Sequence, residues 1–130
     1  MSKARIVSLS LVAVLVLSCL ASTVAAQGIG GVTVKASPES YNGPCPARIR
    51  FTGVIEVQRY PMSLNYHWER SDGAKGPVKV FHVNKGTRTI TTVEMWQLST
   101  PGRQQVSATL HVNSGNEHLS SSARVHVNCR

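Results

Sequence analysis

Three imidazoles, His67, His111 and His126, sit in segments where apolar and polar residues alternate, each in the polar register. Leu64, Tyr66 and Trp68 take one face of their segment and His67 the other. The same holds for His111 against Leu110 and Val112, and for His126 against Val125 and Val127. On a common face, three imidazoles would bind zinc or copper, or act as a charge switch near pH 6. Three solvated histidines whose strand registers do not coincide are the first expectation, because alternation within one strand says nothing of its register with another.

The second candidate chemistry is cationic. Arg48 and Arg50 alternate with Ile49 and Phe51, so both point outward when those two enter a core. Arg88 and Lys79 are further candidates for the same patch. Such a face attracts anionic polysaccharide, lipopolysaccharide or acidic proteins by long-range steering; the plainer alternative is a charge that serves solubility. The whole chain carries 14 Lys+Arg against 6 Asp+Glu, a formal +8. Aromatic residues make up only 5% and both tryptophans read as core, so stacking platforms for single-stranded nucleic acid are missing and no nucleic-acid partner is expected.

Enzyme chemistry has little to work with. The acids from residue 27 onward are Glu39, Glu56, Glu69, Asp72, Glu94 and Glu117, and no spacing marks two of them as a pair. There is no G-x-S-x-G, no H-E-x-x-H and no phosphate loop. Ser120, Ser121 and Ser122 have no evident partner base. A non-enzymatic chain without a cofactor is the expectation.

Lys3 and Arg5 precede an apolar stretch, Ile6 to Leu20, and then the small residues Ala21 to Ala26. That order is the pattern of a secretory signal peptide, with Val24 and Ala26 placing the cut before Gln27. The apolar run is shorter than the ~20 residues of a membrane-spanning helix. Leu17 fits a lipobox ahead of Cys19 poorly, so soluble export to a secreted or periplasmic location is expected, with no membrane span after cleavage. Residues 27–130 keep twelve cations against six acids, a charge of +6, and two cysteines. In an oxidising compartment Cys45 and Cys129 are expected to form a disulfide. Their separation and the lack of a CxxC argue against a metal or redox pair.

Nothing from Gln27 on repeats at helical period. Short alternating runs appear instead, at 31–36, 48–57, 63–70, 78–83, 87–98, 105–112 and 123–129, divided by Gly, Pro, Asn and Ser clusters. The stretch Tyr41 to Pro46, with Gly43, Pro44 and Pro46, is expected to lie outside regular pairing. Gly53 breaks the apolar face of its run and points to a bulge or a close approach. Seven strands in about 100 residues is the arithmetic of an all-β, immunoglobulin-like antiparallel β-sandwich, with an up-and-down barrel as the alternative. Lettered A to G, strands C, F and G would carry the three histidines in one sheet. Strand E would bring Arg88 beside strand B, with Lys79 joining from strand D.

The stretch Tyr66-His67-Trp68-Glu69-Arg70-Ser71-Asp72-Gly73, the segment Ser37 to Pro46 and Trp96-Gln97-Leu98 together resemble secreted bacterial single-domain immunoglobulin-like proteins. The resemblance spans residues 31–130 and implies a sandwich that buries Trp68 in strand C. It implies an extracellular binding module, and it brings no catalytic residue with it.

Overall fold

The computed structural model describes residues 28–130; the expected signal segment of residues 1–26, with Cys19, lies outside them. Eight strands follow in chain order: β1 Ile29–Ser37, β2 Ser40–Gly43, β3 Ala47–Val57, β4 Met62–Arg70, β5 Lys79–Val83, β6 Thr89–Leu98, β7 Gly102–Ser114 and β8 Glu117–Cys129. They form a three-stranded sheet ordered β1-β3-β6 and a five-stranded sheet ordered β2-β8-β7-β4-β5. The period-two patterning sets which face is which. Ile49, Phe51, Ile55, Leu64, Leu110, Val112, Val125 and Val127 are buried between the sheets, while residues one step off, such as Arg48, Arg50, His111 and His126, lie on the outer faces.

Two departures from the seven-strand expectation have physical causes. Ser40–Gly43 does pair, in parallel with His126–Cys129, and the pairing stops where Pro44 removes the next donor. The 79–83 run adds to the edge beside β4, with Tyr66 opposite Lys79, and not to the sheet that holds β3 and β6.

Gly53 marks a close approach without a bulge. A Cβ there would stand 2.5 Å from a Leu110 methyl and 3.0 Å from the Trp68 ring. Its register partner Thr92 accepts a hydrogen bond from Trp68 Nε1 at 3.1 Å. One sheet therefore supplies both the space and the acceptor for an indole carried by the other.

The β7–β8 hairpin clamps the start of β1. The Glu117 carboxylate accepts the N–H of Gly28 at 2.8 Å and of Ile29 at 3.0 Å. These two donors, Gly28 first, hold Glu117 below its ordinary carboxylate range, and Arg59 acts in the same direction against a desolvation that opposes them. A depressed folded pKa means the clamp contributes above the unfolded carboxylate pKa and is lost as pH falls through the folded value. Glu117→Gln should therefore speed amide exchange at Gly28 and Ile29 at neutral pH and flatten the acid dependence of that exchange. Unchanged protection of both amides would show that the clamp does not hold β1.

Candidate functional site

The outer face of the five-stranded sheet brings together two of the three candidate histidines. His67 on β4 lies directly opposite His111 on β7. Their rings stack with centroids 4.9 Å apart and planes 15° from parallel. Glu69, two residues along β4 and hence on the same face, places Oε2 3.2 Å from His111 Nε2. All three side chains are half-buried. His126 does not join them. It pairs with Gln105, whereas His111 pairs with Ser120, so six residues of β8, about 20 Å, separate it from the cluster. It lines an open cleft with Tyr41, Asn42 and Arg103 instead.

Glu69 is the member that sequence reading missed. The signal was present: in an alternating strand His67-Trp68-Glu69 puts the imidazole and the carboxylate on one face, with the tryptophan on the other. Burial, and then the facing His111, hold His67 below its ordinary pKa, with Lys75 acting in the same direction and Glu69 opposing them. Its ring therefore takes up a proton less readily than a free imidazole does. The other two histidines of the chain are tied to polar neighbours, His82 to Ser63 at 2.7 Å and His118 to Asn113.

Ser120 stands opposite His111 in the β7–β8 ladder. No hydrogen bond joins them among the described residues, and Nε2 of His111 is turned to Glu69. A Ser–His–carboxylate relay needs its imidazole between the other two groups, and that order is not assembled here.

The cationic candidates divide differently from expectation. Arg48 and Arg50 are exposed on the outer face of the three-stranded sheet, opposite Gln97 and Met95. Arg88 is not beside them. In an antiparallel ladder the start of β6 lies against the end of β3, as the pair Glu56–Thr89 shows. Arg88 precedes β6, its carbonyl accepts the Val57 N–H at 2.8 Å, and it sits roughly 25–30 Å from the arginine pair. Lys79 belongs to β5 in the opposite sheet and cannot share the face. The cation that does adjoin them is Lys35 on β1. It lies opposite Thr52, one step along the face from the pair Ser37–Arg50. Met95 and Val93 lie exposed beside this group, at 51% and 45%.

Cys45 and Cys129 form the expected disulfide, with Cα atoms 4.9 Å apart. Among the described residues, no helix is long and apolar enough to cross a membrane.

No family model matches the chain, and no curated protein matches it either. Among solved structures, the fold is similar to the CARDB domain of the PF1109 protein from Pyrococcus furiosus, which was solved in complex with di-metal ions. That likeness has a TM-score of 0.50 and 15% identity, over 76% of this chain and 92% of that one. Pseudomonas fluorescens alkylpurine DNA glycosylase AlkC, bound to DNA containing an abasic site analog, is similar at a TM-score of 0.42 and 19% identity, over 78% of this chain and 30% of that one. With two packed sheets, no helix among the described residues and the first of these likenesses, the fold is an immunoglobulin-like β-sandwich.

Proposed function

We propose that the protein is an exported, non-enzymatic interaction module that engages an anionic envelope or matrix polymer, a polysaccharide or lipopolysaccharide, through the outer face of its three-stranded sheet. One observation carries the reading. Arg48 and Arg50 are exposed and make no ion pair or hydrogen bond among the described residues, on a stretch of sheet that also shows Lys35, Val93 and Met95. The outward register of β3 holds no acid until Glu56, about 20 Å beyond Arg50. Repulsion between neighbouring arginines is modest in water, and a polyanion offsets it. The basic, apolar and small-residue order of residues 1–26 supports export, and a disulfide suits an oxidising compartment.

Charge reversal is the test. On heparin or lipopolysaccharide columns the wild-type chain should be retained at low salt and released steeply toward physiological ionic strength, where the Debye length is about 8 Å. Arg48→Glu with Arg50→Glu should lose that retention while the circular dichroism spectrum stays the same. Equal retention of the double variant at every salt concentration would remove this face as the binding surface.

A further inference from the structure

We infer that His67, Glu69 and His111 form a binding site for one divalent transition-metal ion of the zinc or copper kind, on the face of the sandwich opposite the arginine pair. The backbone beneath the site is firmly held. β7 is bonded to β4 on one side and β8 on the other, and past the end of β5 the outer side of β4 is held by the Gly76 N–H to the Trp68 carbonyl, at 2.8 Å, and the Glu69–Lys75 bridge. The ladder places His67 and His111 opposite each other, and strand alternation adds Glu69 to the same face. One donor atom from each residue lies within 4.8 Å of the others.

Bond lengths to zinc near 2.1 Å place two ligands of a tetrahedral ion roughly 3.4 Å apart. The 3.2 Å between Glu69 Oε2 and His111 Nε2 is already at that spacing. The widest gap closes by about 1.4 Å, a movement available to half-exposed side chains through their χ angles. An ordinary carboxylate–imidazole pair accounts for Glu69 and His111 but not for the third member. His67 has no hydrogen bond to protein among the described residues, although it stacks on His111 at 4.9 Å. A shared cation gives its ring nitrogen a partner. Two imidazoles and one carboxylate select zinc or copper over calcium or magnesium, which prefer all-oxygen sites. Three protein ligands leave the remaining position of a tetrahedral ion to solvent.

Zinc alone, titrated into the disulfide-bonded protein in a non-coordinating buffer, tests the site by calorimetry and imidazole NMR. One ion should bind per chain, with ring shifts confined to His67 and His111. His111→Ala and His67→Gln should each weaken binding at least tenfold, and His126→Ala should leave it unchanged. The wild-type imidazole map reads the site without any substitution, so a variant that fails to fold does not obscure the result. Ring shifts centred on His82, His118 or His126, no binding below millimolar zinc, or a folded His111→Ala with wild-type affinity would each overturn the assignment.

Discussion

Trp68→Ala should destabilise the protein by about 3–5 kcal/mol, the range for removing a buried aromatic ring. The side chain is 5% exposed and packs over Gly53, where the missing Cβ makes room for the indole. Its Nε1 donates to Thr92, the one polar side chain buried among the described residues. That bond crosses between the sheets, from β4 to β6, so truncation opens a cavity and strands a hydroxyl together. Leaving a buried polar group unpaired costs about 1–3 kcal/mol by itself. The surroundings cannot close over the gap easily, because β3, β4, β6 and β7 are each fixed by ladders on at least one side. For a domain whose whole stability is about 5–15 kcal/mol, such a loss is near the limit of folding. Urea unfolding of the disulfide-bonded variant measures it. A loss under about 1.5 kcal/mol would mean that the ring does not anchor the two sheets.

The burial of Trp68, and of Ile49, Phe51, Leu110 and Val125, is legible in the sequence because it depends on one strand at a time. Alternation assigns each residue a face, and a strand with one apolar face has one way to lie on a core. Which strands are neighbours is a relation between distant segments, and that is where sequence reading lost ground. The five residues Lys79–Val83 are too few, and too exposed, to declare a sheet; Val80 is 65% exposed and Phe81 40%. Their transfer to the β4 edge removed Lys79 from the arginine face. Arg88 is misplaced for a different reason: β6 does run antiparallel beside β3, but Arg88 stands just before its start, which meets the end of β3 and not the Arg48–Arg50 end. His67 and His111 are 44 residues apart in the chain, so only the register of β4 on β7 could bring them face to face, and the same register rule excluded His126. Glu69 needed no tertiary information. It follows from period two alone.

Opening the Cys45–Cys129 bridge should cost about 2–5 kcal/mol, the usual range for a native disulfide in a small secreted domain. The two cysteines are 84 residues apart, so the closed loop includes nearly the whole sandwich, and chain-entropy arguments place long loops at the upper end of that range. Its position adds a local reason. β2 belongs to the five-stranded sheet through four parallel partners on β8, and the chain then leaves for β3 in the other sheet within three residues. Arg130 N–H to the Gly43 carbonyl, at 3.0 Å, and Cys45 N–H to the Arg130 carbonyl, at 3.4 Å, are the backbone bonds that remain at this corner when the bridge opens. Both lie beyond the last ladder pair, Gly43–Cys129, and bonds outside a ladder open most readily. The double substitution Cys45→Ala with Cys129→Ala should therefore lower the urea midpoint and also raise amide exchange first in β2 and the end of β8. Cys129 is fully buried, so part of the loss in the double variant comes from packing and not from the covalent link. Reduction of the wild-type protein separates the two contributions, because it breaks the link while keeping both side chains in place. If the reduced and oxidised proteins unfold at the same midpoint, the corner is held by β2 and its hydrogen bonds alone.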